Sequence, residues 1–197
     1  ELQQAILSDT RTAIENCRST QCQYLTATGQ VHVFVEVIKP PISLIVFGAG
    51  RDAVPLVQFA GTLGWFVMVV DCRSQAETID RFSMADETIL TRRDALSHQV
   101  AISPGTAAVV MTHNYHDDLE ILKLLLPSEA KYIGLLGSRQ RTAKLWQAVL
   151  ESGEMNVSRD RLHAPVGLDI GAQTPAEIAI AIVAEIQAVF CQRSPLN

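Results

Sequence analysis

The sequence has few cysteines, and they stand far apart. None of the four belongs to a Cys-x-x-Cys pair, which argues against a zinc knuckle or another structural metal site. They are Cys17, Cys22, Cys72 and Cys191. A chain of 197 residues can build a core without disulfides. We therefore expect free thiols and a cytoplasmic protein without a metal site.

Two further absences concern possible partners. The formal net charge is −5 at pH 7, whereas a general nucleic-acid binder needs a basic face for phosphate contacts. No apolar run is long enough to cross a membrane. The longest, residues 178–190, contains Glu185 and Gln187 and is typical of a buried helix. We therefore expect no nucleic-acid partner and no membrane span.

The first forty residues predict a small helix followed by a β-hairpin. Residues 1–19 have apolar side chains near helical spacing, and two strands then flank a turn at Thr28. Pro40 and the proline after it end the second strand, so we place a domain boundary there, with units 1–39 and 40–197. The chain does not begin with Met and starts like the middle of a domain. We expect a fragment whose first unit is the remnant of a truncated N-terminal domain.

The remainder alternates strands and helices, which predicts an α/β fold: a Rossmann-like parallel sheet with helices on both faces. The predicted strands are 43–48, 65–71, 87–90, 107–112 and 132–137, with a loop and a short strand in 163–171. The predicted helices are 52–63, 117–126, 139–150 and one opened by Thr174 as N-cap and Pro175 at the first position.

The first strand-to-helix turn carries Gly48-x-Gly50-x-x-Ala53, the spacing of a dinucleotide-binding turn. A glycine at position 50 would let a pyrophosphate reach the helix N-terminus. Asp71 ends the next strand, roughly 20 residues later, where a ribose-binding acid belongs. The candidate residues of this cradle are Gly48, Ala49, Gly50, Arg51, Asp52 and Asp71. The alternative is a nucleotide-type fold whose cradle is empty or serves another purpose.

Arg73 and the segment THNYHDD (112–118) extend this candidate site. Arg73 either pairs with a ribose or pterin phosphate or is a solvated surface charge. The segment follows the fourth strand, at the sheet edge where open α/β sheets bind ligands. We prefer Asp117 as a helix cap over a metal site and keep His113 as a ligand-pocket candidate.

A second glycine-bearing turn, GLLGSRQRTAK (134–144), predicts another anion site. Gly137 and Ser138 open a helix there, and Arg139 adds positive charge. The alternative is a capped amphipathic helix with solvated basic residues. On the last helix, Glu177 and Glu185 lie on nearly the same face. A catalytic carboxylate pair is conceivable, but Glu177 also suits the helix dipole.

Four motifs in order make the chain similar to the C-terminal Rossmann-like domain of the XdhC/CoxI family. They are VFVEVIKPPISLIVFGAGRDAVPLVQFAGTLGWFVMVVDCR, MTHNYHDDLEIL, YIGLLGSRQRTAKL and HAPVGLDIGAQTPAEIAIAIVAEI, and the likeness covers about residues 33–190. Members are accessory proteins of xanthine dehydrogenase and carbon monoxide dehydrogenase. This chain departs from the family's pattern in two respects. The family usually has histidine where Arg51 stands, and its N-terminal domain has glycine-rich motifs and a cysteine for which no counterpart precedes Glu1.

The resemblance implies a chaperone that binds molybdenum cofactor, or molybdopterin, and assists its sulfuration and insertion into a xanthine-dehydrogenase-type hydroxylase. A cysteine desulfurase is a further implied partner. The alternative from the residues is an NAD(P)-dependent oxidoreductase, although no Tyr-x-x-x-Lys pair is present and nothing marks out His113 for proton transfer. A third hypothesis is a docking module with the last helix at a contact between copies, and we expect a homo-oligomer.

Overall fold

The computed structural model describes residues 2–73, 81–152 and 158–193. The chain divides into a smaller unit up to Pro40 and a larger one from Pro41. The smaller unit holds α1 (Leu2–Glu15) and an antiparallel hairpin of β1 (Thr20–Thr26) and β2 (Gly29–Val35). Tyr24 Oη donates to Asp9 Oδ2 at 2.6 Å, which joins the hairpin to the helix. The predicted helix and hairpin are confirmed.

The larger unit contains a six-stranded parallel sheet in the order β5-β4-β3-β6-β7-β8. Its strands are β3 (Ser43–Phe47), β4 (Phe66–Asp71), β5 (Glu87–Leu90), β6 (Thr106–Val110), β7 (Tyr132–Leu135) and β8 (Leu162–His163). This is the strand order of a Rossmann fold, so the predicted fold class is confirmed. The order reverses between β3 and β6, and ligands of open α/β sheets bind at such a reversal.

Helices cover both faces of the sheet, and each face has its own core. The helices are α2 (Ala53–Thr62), α3 (Leu96–Gln99), α4 (Tyr115–Leu125), α5 (Arg139–Glu151) and α6 (Pro175–Phe190). In β3, Leu44 and Val46 pack in the core that includes α2 and α6, whereas Ile45 and Phe47 pack in the core that includes α4 and α5. Alternate residues point to opposite faces, so a strand covered on both sides is apolar throughout.

The ends of two helices test the capping predictions. The Asn114 side chain caps α4 by accepting from the backbone N–H groups of His116 and Asp117, at 2.9 and 3.3 Å. The predicted cap at Asp117 is therefore wrong. That carboxylate is buried and accepts from Arg93, in a short helical turn before α3 that the sequence pattern did not predict. The predicted Thr174 cap of α6 is confirmed.

The α6 cap also accounts for one of the two acids on that helix. The Thr174 side chain accepts from the Glu177 N–H, and the Glu177 carboxylate accepts from the Thr174 N–H, so the two form a reciprocal capping box. These hydrogen bonds lower the pKa of Glu177. Within the described residues, no helix is long and apolar enough to span a membrane.

Candidate functional site

The predicted site residues lie in loops at one edge of the sheet. Because β3, β4, β6 and β7 are parallel, the loops that follow them start at the same carboxyl edge. These loops, with the residues that border them, span 48–52, 71–73, 112–114 and 136–139. The structure thus brings both glycine-bearing turns, Asp71 and His113 to the edge where an α/β sheet binds ligands.

At one position of the first turn the fold itself requires glycine. Gly48 has φ +113°, and a Cβ there would lie 2.6 Å from the carbonyl oxygen of Met111. At Gly50 an added Cβ would meet Asp52 Oδ1, which is the end of a flexible side chain. The space left by Gly50 is therefore next to a carboxylate, which disfavours a phosphate at this position. Arg51 is exposed beside it.

Asp71 is buried and holds the glycine turn in place. Its Oδ2 accepts from the Ala49 N–H at 2.8 Å, and its Oδ1 accepts from the Arg73 N–H at 2.7 Å. The Arg73 guanidinium also pairs with the carboxylate, with Nη2 2.7 Å from Oδ2. Burial alone would raise the pKa of Asp71, but the hydrogen bonds from Arg73 and Ala49 hold it below its usual value.

This arrangement changes the interpretation of both residues. The Asp71 side chain is 3% exposed, so its oxygens do not face the space where a ribose would lie. Arg73 is half exposed, but its charge is paired with Asp71 rather than with solvent alone. The carboxylate at the end of β4 therefore serves the loop, and a ribose contact would require this pairing to break.

Asp52 and His113 connect the two loops on either side of the strand reversal. His113 Nε2 lies 2.6 Å from Asp52 Oδ2. Asp52 occupies the N-cap position of α2, yet its side chain makes no capping hydrogen bond there. His113 has a left-handed backbone with φ +60°, which is uncommon for a residue other than glycine. The pair places a carboxylate over the start of α2.

The second turn places one arginine inward and one outward. Ser138 caps α5 by accepting from the Arg141 N–H at 3.2 Å. Arg141 Nη2 donates to Asp118 Oδ2 at 2.6 Å, and the buried Asp118 also accepts from the Thr112 hydroxyl. Arg139, by contrast, is exposed at the mouth of a cleft. Capping and a solvent-facing basic residue are thus both present at this turn.

The cleft beside Arg139 has a volume of about 450 Å³ and lies between the turn 136–139 and the loop 165–172. Gly167 has φ +92°, and a Cβ there would lie 3.1 Å from Ala181 Cβ, so only glycine lets the loop lie this close to α6. Asp169 also lines the cleft. Sequence patterns assign Asp169 no role, although the glycines at 167 and 171 on either side of it indicate an unusual loop.

Glu185 supports the wall of this cleft from behind. Its Oε2 accepts from the Gly167 N–H at 2.9 Å and from Tyr132 Oη at 2.5 Å, and its Oε1 lies 3.3 Å from His163 Nδ1. Burial alone would raise the pKa of Glu185, but hydrogen bonds from His163, Tyr132 and Gly167 lower it. Burial and the Glu185 charge raise the pKa of Tyr132 well above its usual value. Glu185 and the capping residue Glu177 thus have separate partners within the fold.

The XdhC Rossmann domain family matches residues 44–186 of the chain, which include both turns and the cleft. The chain belongs to the XdhC family. A Bacillus subtilis relative, named as a probable subunit of xanthine dehydrogenase, is 41% identical over 155 residues, covering 79% of this chain and 45% of that protein. The predicted resemblance is therefore confirmed.

Other similar proteins extend this XdhC relationship. Escherichia coli "Molybdenum cofactor insertion chaperone PaoD" is 24% identical over 175 residues, covering 88% of this chain and 47% of that protein. A crystal structure described as a xanthine dehydrogenase from Bacillus halodurans has a TM-score of 0.69 at 29% identity, covering 97% of this chain and 65% of that chain. The chain thus spans less than half the length of these two curated relatives.

Two observations in the XdhC domain concern metal ligands and the thiol of Cys72. In the part of the chain that the structure describes, no group of three or more His, Cys, Asp or Glu side chains is arranged to hold a metal ion. Burial, with the nearby charges of Asp117 and Asp71, raises the pKa of Cys72 to about 11. A thiol with this pKa is a poor nucleophile at neutral pH.

Proposed function

We propose that this chain acts as an accessory protein that binds molybdenum cofactor and assists its sulfuration and insertion into a xanthine-dehydrogenase-type hydroxylase. Membership of the XdhC family supports the proposal. So do relatives named as a molybdenum cofactor insertion chaperone and as part of a xanthine dehydrogenase. The proposed protein partners are the hydroxylase and a cysteine desulfurase as sulfur donor, and we expect the protein to act as a homo-oligomer.

The burial and pairing of the Asp71 carboxylate are the structural observation that favours cofactor handling over hydride transfer. A nicotinamide enzyme of this fold uses the acid at this position to bind a ribose hydroxyl. Here the carboxylate is buried and bonded to Ala49 and Arg73. Asp52 adds a second carboxylate next to Gly50, where the pyrophosphate of a dinucleotide would lie. Both features weaken the case for NAD(P).

The cleft next to Arg139 suits molybdopterin, which joins a flat pterin to a terminal phosphate. The turn 136–139 and the loop 165–172 form walls lined mainly by glycine and apolar residues, a surface that suits a flat ring. Arg139 and the start of α5 at Ser138 provide positive potential for the phosphate. When bound, the cofactor supplies the metal–sulfur chemistry of the target enzyme. The residues of this chain would bind and release the cofactor. They need no catalytic group for this, because a carrier has no transition state to stabilise.

The proposal predicts that the protein retains the cofactor when purified from cells that make it. Pterin fluorescence after oxidation and metal analysis would measure the amount bound. Incubation with a cofactor-free hydroxylase should then restore hydroxylase activity. Arg139→Ala should reduce retention several-fold, whereas Arg18→Ala, which removes an exposed charge from the N-terminal unit, should leave retention unchanged.

Two outcomes would overturn the proposal in favour of the alternatives. Turnover of NAD(P)H with a small carbonyl substrate, without any bound pterin, would indicate an oxidoreductase. Capture of the hydroxylase by a protein that never carries pterin would indicate a docking module.

A further inference from the structure

The charged side chains at the carboxyl edge are largely paired with each other. In the described part of the chain the pairs at this edge are Asp52–His113, Asp71–Arg73, Asp117–Arg93 and Asp118–Arg141. Each of these carboxylates has an acceptor role within the fold. A charged side chain outside these pairs can bind a ligand without first breaking an ion pair of the fold.

Asp169 and Arg139 meet this condition and line the same cleft. Neither takes part in the ion pairs found among residues 2–73, 81–152 and 158–193. Both are exposed and both line a cleft of about 450 Å³, Arg139 from the turn 136–139 and Asp169 from the loop 165–172. The remaining walls are glycine and apolar residues, which provide surface for a flat ring but no competing charge. The cleft thus presents one anion and one cation to its occupant.

A pterin is asymmetric in a way that matches these two charges. Its 2-amino group and the neighbouring ring N–H point in the same direction, and both are donors. A carboxylate can accept both hydrogen bonds in parallel, as it does from the two donors of an arginine. A phosphate on the other end of the molecule requires a cation, and a guanidinium matches its geometry.

We propose that Asp169 recognises the aminopyrimidine edge of the pterin while Arg139 binds the phosphate end. This inference rests on the proposed function and names the residue that selects the ring. The Gly167 N–H donates to the Glu185 carboxylate, and this hydrogen bond anchors the loop that carries Asp169 to α6. Asp169 is thus the specificity-determining residue and Arg139 the anchor.

The test compares a 6-(phosphooxymethyl)pterin with the corresponding lumazine, in which a carbonyl replaces the 2-amino group. Fluorescence titration of the full chain should show the pterin binding about 10- to 100-fold more tightly, because the lumazine turns an acceptor towards a carboxylate. Asp169→Asn should reverse this preference, since an amide offers one donor and one acceptor. Arg139→Ala should weaken both probes by similar factors.

Asp160→Asn is the matched control, because Asp160 is exposed and lies outside the cleft. Circular dichroism would confirm folding, and Asp169→Glu should keep the preference for the pterin. An unchanged pterin-to-lumazine ratio in Asp169→Asn would overturn the assignment of Asp169. If the purified protein still retains cofactor in that case, the proposed function stands. If the wild-type chain binds neither probe, the assignment of Asp169 is overturned. If the purified protein also carries no cofactor, the proposed function is overturned as well.

Discussion

His113 Nε2 lies 2.6 Å from Asp52 Oδ2, and this pair joins the end of β6 to the start of α2 across the strand reversal. The two residues are 61 positions apart in the sequence. The pair sets the electrostatics of the glycine turn, because it holds a negative charge over the space next to Gly50. A phosphate that approached this turn would meet that charge before it reached the helix.

Asp52→Asn should therefore make the glycine turn more accessible to anions. The His113 side chain is 62% exposed, so the loss of the pair should change the free energy of unfolding by less than about 1 kcal/mol. Titration calorimetry with ADP-ribose should detect tighter binding to the variant than to wild type. Arg51→Ala should act in the opposite direction, and equal affinities in all three proteins would contradict the prediction.

Gly48→Ala should destabilise the domain through both strain and collision. The substitution forces alanine to φ +113° and puts its Cβ 2.6 Å from the Met111 carbonyl oxygen. We expect a loss of about 2–4 kcal/mol in urea denaturation. Gly64→Ala is the control, because Gly64 also has positive φ, +73°, but nothing lies within 4 Å of its added Cβ. Its loss should be only about 1 kcal/mol, and equal losses would show that backbone strain alone matters.

Asp71→Asn should lower stability in a pH-dependent way. The pKa of Asp71 is lower in the folded chain than in the unfolded chain, so its ionised form stabilises the fold above the unfolded value of about 3.9. This contribution is lost as pH falls through the folded pKa. We expect the variant to be about 1–3 kcal/mol less stable at pH 7, with the difference from wild type shrinking below about pH 4. Urea denaturation between pH 3 and 7 would measure this difference in free energy of unfolding. A difference that stays constant over this pH range would count against the prediction.

Tyr132→Phe should weaken the support of the Gly167 loop. Tyr132 is fully buried and donates to the Glu185 carboxylate, and a hydrogen bond to a charged group contributes about 1.5–3 kcal/mol. We expect a loss of this size in urea denaturation. In a double-mutant cycle with Glu185→Gln, the losses in free energy of unfolding of the two single variants should sum to more than the loss in the double variant. Simple additivity would mean that the two side chains act independently.

The strands and helices were predictable because local patterns determine them. The apolar run of β3 indicated a strand covered on both faces, and Thr174-Pro175 indicated the start of α6; both predictions are confirmed. The α4 cap was predicted at Asp117 because several polar residues of THNYHDD suit a cap. Asn114 is the cap because α4 begins at Tyr115, and Asp117 instead binds Arg93, a partner 24 positions earlier that no local pattern reveals.

The positions of the candidate site residues in the fold were predictable, whereas their pairings were not. Parallel strands bring Gly48, Asp71, His113 and Gly137 to one edge, so strand ends alone located them. The interpretation of Asp71 as a ribose ligand depended on what its carboxylate faces. The carboxylate faces Ala49 and Arg73. The spacing between the glycine turn and Asp71 would be the same if the carboxylate bound a ribose instead. Asp169 was missed for a related reason, because its relevance depends on the pairing of the other charges at this edge.

The hydrogen bond from Ala49 to Asp71 also bears on how this fold could change function. Any route from this domain to a dinucleotide enzyme must free the Asp71 carboxylate for a ribose. That step removes the acceptor of the Ala49 N–H and the partner of Arg73 at the same time. A single substitution would therefore lower stability before it created affinity. Evolution or engineering of a new nucleotide site here would need at least two coordinated substitutions, with the compensating one made first.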